Sequence, residues 1–188
     1  MIAARRLAGP VLALLVVSAA AAEIEQLSVE QRGERYVVLV QARLAAPADA
    51  IWARLTHYPS YPRISPAIDS CKHVGTDAAG GDLVLTRAHA CVIGFCKEVR
   101  QRQRVRQLGF GELLAEVQPR GSDFRYGRAH WRLTPLGNAT GMRFEAELEP
   151  KFWVPPLLGP WLIKRALEQE ARASAVNLER LAQEPLRP

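Results

Sequence analysis

Between Ile24 and Glu149 apolar residues fall at every second position in segments separated by Gly- or Pro-containing breaks, and beyond Pro160 the spacing becomes that of a helix. That order is the strongest constraint on the fold. Period two marks strands with one buried face, and a stripe at three- and four-residue intervals marks a helix with one buried side. Strands are expected at IEQLSVEQ and RYVVLVQARL, which flank Arg32-Gly33-Glu34 as two arms of a hairpin or as one bent edge ribbon. Further strands are expected over 67–74, 83–91, 95–108, 112–118, 124–133 and 140–149. The breaks DAAGG, VIG, GFG, PRGS and PLGN are too short to hold a crossover helix, so the strands form an antiparallel meander.

Pro47 opens a short helix that runs to Leu55. The segment HYPSYPRISP, with three prolines, reads as an ordered connection that is neither helix nor central strand. At the far end WLIKRALEQEARASAVNLERLAQ contains no Gly or Pro. Ile163, Leu167, Ala171, Ser174, Ala175, Leu178 and Leu181 make its apolar stripe, and Lys164, Glu168, Gln169, Arg172, Glu179 and Arg180 take the opposite face. A sheet that curls around this helix buries both apolar surfaces at once. The expected class is therefore α+β, a curved antiparallel sheet of about seven strands wrapped around a long C-terminal helix, with a short helix after the first strand. With 188 residues, 48% hydrophobic and 23% charged, the chain builds one core without metal or crosslinks, so a single domain over 23–188 is expected.

The first 22 residues are read as an address. MIAARRLAGPVLALLVVSAAAAE has a positive head at Arg5 and Arg6, an apolar stretch too short to span a bilayer comfortably, and small residues at Ala20 and Ala22. A signal peptide cleaved after Ala22 is expected, with export to the periplasm; an uncleaved anchor is the alternative. The formal charge of +6 then falls by two, and a nucleic-acid partner is not expected. In an oxidising compartment Cys91 and Cys96, flanking a four-residue apolar tip in CVIGFC, are the preferred disulfide, and a bridge from Cys71 to either one competes with it. CxxC spacing is absent and no His stands at a ligand-like interval, so no metal site is expected.

Strand parity assigns faces. Gly127, Ala129, Trp131 and Leu133 point inward, as do Met142, Phe144, Ala146 and Leu148, which leaves Arg128, His130 and Arg132 across from the outward Glu145, Glu147 and Glu149. Arg100, Arg102, Arg104 and Arg106 form an outer row, read as a solvated face balanced partly by Glu112 and Glu116; contact with acidic headgroups at a membrane is the alternative. Gln101 and Gln103 face inward, where an amide needs a hydrogen-bond partner. Small residues in the middle of the helix stripe, set against Gly127, Ala129 and Ala146, leave volume for a hollow beneath the helix, unless they serve close helix-to-sheet contact.

The stretches ARLAAPADAIWARLTHYPSYPRISPAI and GSDFRYGRAHWRLTPLGNATGMRFEAELEPKFWVPPLLGPWLIKRAL resemble the START-like (SRPBCC) helix-grip superfamily. It includes birch-pollen-allergen-like carriers, polyketide cyclases and the coenzyme-Q-binding and lipid-transfer group. The resemblance implies an elongated cavity for an apolar small molecule such as a lipid, quinone or polyketide. The first expectation is thus a monomeric, non-catalytic binding or transport protein without cofactor. Its ligand-binding residues would be Trp52, Gln101, Gln103, Trp131, Phe144, Ala146, Leu167, Ala171, Ser174 and Leu178, with a mouth at 92–95 and 152–158. The alternatives are a cyclase or dehydratase that uses Arg87 and His89, and a module that docks on a membrane or partner.

Overall fold

The computed structural model describes residues 22–92, 95–152 and 159–185; all but the last residue of the expected signal peptide and most of the expected mouth lie outside these ranges. Two strands, β1 (Glu23–Arg32) and β2 (Arg35–Leu44), form a hairpin around the left-handed Gly33. Helix α1 (Ala48–Leu55) follows directly behind Pro47. The proline-rich connection is not free of helix: Tyr58–Ser60 make a 3-10 turn and Tyr61–Ile64 a single turn, α2. Pro59 and Pro62 stand in the first positions of these turns, where a missing N–H breaks no hydrogen bond.

Six strands then run as a meander: β3 (Ile68–Thr76), β4 (Asp82–Val92), β5 (Phe95–Gly109), β6 (Glu112–Val117), β7 (Phe124–Leu136) and β8 (Ala139–Pro150), before α3 (Gly159–Ala182). All eight strands join one antiparallel sheet in the order β1-β2-β8-β7-β6-β5-β4-β3. The count is eight rather than about seven, and the short helix follows the second strand, because the first segment is a true hairpin and not one bent ribbon. In the β4–β5 hairpin Cys91 and Cys96 are directly opposite and disulfide-bonded, while Cys71 is a buried free thiol.

One core fills the concave side. Val38, Val40, Ala42 and Leu44 of β2, Met142 and Ala146 of β8, and Leu113 and Ala115 of β6 meet Ile51 and Leu55 of α1 and Ala175, Leu178 and Leu181 of α3. The burial of α3 is concentrated in its C-terminal half. Glu179, expected on the solvent face, is only 5% exposed, and its carboxylate accepts the Ala45 N–H at 2.5 Å. Nearby, the fully buried Thr140 hydroxyl donates to the Ala46 carbonyl at 2.6 Å, and Asn177 donates to the Ile64 carbonyl at 3.1 Å. The helix is therefore fastened by polar bonds to the chain on both sides of α1. Among the described residues no helix is long and apolar enough to cross a membrane.

Candidate functional site

The Tyr-Pro connection roofs part of the concave face. Tyr58 and Tyr61 come down over Cys71 of β3, Val84 of β4, Gln103 and Val105 of β5, Leu113 and Ala115 of β6, and Trp131 of β7, and together they bound a void of about 10 Å3. That is about the room one water needs. No residue of α3 lines it.

Beside Gly127, one of the small residues expected to leave a hollow, the space is taken by neighbouring strands. A Cβ on Gly127 would stand 2.4 Å from Val117 Cγ2 and 3.1 Å from Leu148 Cδ2, so these two side chains already occupy the glycine's space. Ala129 and Ala146, opposite each other in register, and Ala175 are buried members of the core. At Gly127 the missing side chain serves close packing within the sheet.

The expected lining residues separate accordingly. Gln103 and Trp131 do meet at the void. Phe144 packs at a tilt against Trp131 with ring centroids 4.9 Å apart, Ala146 and Leu178 are core, and Leu167 and Ala171 pack against it. Trp52 turns toward Phe110 in the β5–β6 turn, with centroids 5.9 Å apart. Ser174 donates to Glu170 at 3.3 Å, and Gln101 is part-buried on the inner face of β5. Arg87 and His89 lie elsewhere. Val84 and Thr86 are the buried residues of β4, so parity sends Arg87 and His89 to the exposed convex side, where His89 Nδ1 is 2.8 Å from Asp69. They cannot act on a molecule held within the concave face.

Polar groups around the void are mostly committed. The buried Tyr58 hydroxyl donates to Asp82 Oδ2 at 2.6 Å, and Nε2 of His73 stands 3.3 Å from the other oxygen of that carboxylate with its ring stacked on Tyr58. Tyr61 donates to the Leu55 carbonyl at 2.8 Å. Cys71 Sγ lies 3.5 Å from the Thr86 hydroxyl; burial raises its pKa and the Thr86 bond offsets only part of that, so it stays a thiol. The exceptions are the Gln103 amide and the Trp131 indole N–H, which have no hydrogen-bond partner among the described residues. No group of three or more His, Cys, Asp or Glu side chains among the described residues is placed to hold a metal. The surface can therefore take an apolar body and satisfy one polar group on it.

Tyr58 and Tyr61 were not expected at the site. Their signal was the repeated Tyr-Pro in YPSYP, which fixes two aromatic side chains on successive turns. Burial first, and for Tyr58 the Asp82 carboxylate as well, pushes both phenols far above their ordinary pKa. The unfolded chain releases these protons near pH 10 and the folded one does not, so stability is lost as pH rises past about 10. An ultraviolet phenolate titration should show Tyr58 and Tyr61 ionising only with unfolding, so folded wild type and Tyr58→Phe should give the same signal near pH 10; one more phenolate in folded wild type than in Tyr58→Phe would contradict the roof.

A curved antiparallel sheet closed by a long C-terminal helix, with a roofed apolar patch on its inner face, defines the helix-grip class. The chain belongs to the family described as polyketide cyclase / dehydrase and lipid transport, whose model matches residues 44–173. Among solved structures it is similar to a START superfamily protein from Mycobacterium smegmatis, at 22% identity and a TM-score of 0.60 over 77% of this chain and 98% of that one. It is similar too to a STAR-related lipid transfer protein from Xanthomonas axonopodis, at 13% identity and TM-score 0.57 over 84% and 99%. The Zhui aromatase/cyclase from Streptomyces sp. R1128 matches at 17% identity and TM-score 0.53 over 79% and 92%. No match was found among curated proteins.

Proposed function

We propose that the protein binds and carries a hydrophobic small molecule, a lipid, quinone or polyketide-like compound, without transforming it, and that it does so in the cell envelope after removal of residues 1–22. The observation that carries this reading is the unpartnered Gln103 amide set in an otherwise apolar inner wall beside Trp131. Burial of ligand surface supplies the affinity, at about 25 cal/mol per Å2, and the amide orients one polar group. The family, and a lipid-transfer relative of the same fold, support the ligand class.

A void that holds one water admits such a ligand only when its cover moves. That cover is the Tyr58–Tyr61 roof, carried on the 3-10 turn and α2. The cyclase or dehydratase reading loses the pair on which it relied, since Arg87 and His89 face solvent on the convex side.

Native mass spectrometry of protein expressed with its own N-terminus and purified without detergent tests both parts of the proposal. The expected spectrum is a chain starting at Glu23 with a lipid-like adduct, and Gln103→Leu should retain less of the adduct than wild type. A clean apo mass together with no binding of an apolar dye would remove the carrier reading, and an intact Met1 would remove the export reading.

A further inference from the structure

Outward cations are distributed unevenly over the convex side of the sheet. Arg35 of β2 and the arginines from the second half of β5 to β8 stand with carboxylates, while Arg43 of β2 has only Glu23 opposite it in register. Arg35 lies 2.8 Å from Glu147, Arg106 2.9 Å from Glu116, Arg132 3.3 Å and Arg143 2.7 Å from Glu145, and Arg104 pairs with Asp77. Arg128 stands in register between Glu116 and Glu147.

Across β3, β4 and the first half of β5 this matching fails. Lys72, Leu85 and Arg102 are in register on three neighbouring strands, and Arg87 is directly opposite Arg100. Among the described residues Lys72, Arg87 and Arg102 have no ion-pair partner, and Arg100 has only Glu98 at 3.8 Å. The other acids on this side are engaged, Asp69 with His89 and Asp123 with the Arg100 N–H at 2.7 Å. Like charges opposite each other in an antiparallel pair are destabilising. The arrangement is therefore relieved by an anion on this face.

The cations are interleaved with apolar side chains. Leu83 and Leu85 share the parity of Arg87 and are part-buried, and Val74, at the bulge of the edge strand β3 opposite Leu83 and Val84, is 49% exposed. A bilayer surface offers anionic groups directly above hydrocarbon and so complements both components of this patch, whereas a run of carboxylates complements the cations alone. We propose that the convex face of β3–β5, centred on Lys72, Arg87 and Arg102, docks the protein on a bilayer that contains anionic phospholipid. The proposal does not depend on what the concave side carries.

Sedimentation of the chain from Glu23 onward, which contains every element of the fold, with phosphatidylcholine vesicles with and without phosphatidylglycerol tests it. Wild type should partition onto the anionic vesicles and release with salt. Since each cation near such a surface is worth roughly a fivefold factor, the triple variant Lys72→Glu, Arg87→Glu, Arg102→Glu should lose about a hundredfold or more. Arg43→Glu, which removes a cation of β2 outside the patch, should change partition by about fivefold or less. The single Arg87→Glu places a carboxylate opposite Arg100, so it should keep or raise the melting temperature while still weakening binding, and it serves if the triple variant misfolds. Equal binding to pure phosphatidylcholine, a triple variant that binds like wild type, or Arg43→Glu as damaging as the triple would overturn the proposal. Binding to soluble polyglutamate without binding to vesicles would do so too, in favour of an acidic polypeptide.

Discussion

Shortening Leu113 to alanine is expected to cost about 2–5 kcal/mol of stability and also to make the protein a better receptor for a small apolar molecule. Leu113 is 0% exposed on β6 and forms part of the wall of the void beneath Tyr58 and Tyr61. Its truncation removes buried methyl groups and enlarges a space that already holds about one water. A ligand that enters only the folded form returns stability in proportion to its occupancy, about 2.7 kcal/mol at a hundredfold excess over its dissociation constant. Ile51→Ala is the matched control, because Ile51 is equally buried on α1 and does not line the void. Urea unfolding of both variants with and without a small aromatic hydrocarbon distinguishes the cases. The expected result is a comparable loss in each and recovery in Leu113→Ala alone. Recovery in neither would mean that the inner wall closes over the deletion, and equal recovery in both that the guest binds without using the enlarged void.

Where strand sequences alternate cleanly, their faces were legible. β8 and most of β7 carry charge on one parity and apolar side chains on the other, β5 sets arginines against Val and Gln from Val99 to Arg106, and the register places Val99, Gln103, Trp131, Phe144 and Ala146 on the concave side as the alternation requires. The CVIGFC spacing likewise placed its two cysteines opposite each other on a hairpin. β4 was not legible in the same way. Leu83-Val84-Leu85 is apolar on both parities, because Leu83 and Leu85 cover the outer side while Val84 enters the core, and Arg87 and His89 follow the outer set. Long-range polar contacts left no local trace either. Glu179 sits among charged neighbours on a helix, and only the position of the Ala45 N–H, more than a hundred residues away in the chain, turns it into a buried fastening. Small residues were the hardest to read. Sequence shows that Gly127 and Ala129 lack volume, but not whether a neighbour's side chain fills it.

Gly127→Ala separates those two conditions, and the expected outcome is destabilisation of about 1–3 kcal/mol. Gly127 lies within a strand between β6 and β8 without a left-handed φ, so backbone conformation alone would favour alanine, which is the better residue in a strand interior by about 0.5–1 kcal/mol. If a hollow stood above the glycine, the substitution would therefore be neutral or stabilising. Packing reverses the sign, because the new methyl meets Val117 Cγ2 at 2.4 Å and Val117 Cβ at 3.1 Å. Both belong to a β-branched side chain on the adjacent strand with one preferred rotamer, so the contact is relieved only by moving the strand or the rotamer. Removing the obstacle should restore tolerance: in the Val117→Ala background, Gly127→Ala is expected to cost much less than in wild type, and the double-mutant cycle should give a coupling energy of about 0.5–3 kcal/mol. Denaturant midpoints for the four proteins provide the measurement. A stabilised Gly127→Ala, with no coupling to Val117, would return the hollow to the space between the sheet and α3 and move the candidate site there from beneath the tyrosine roof.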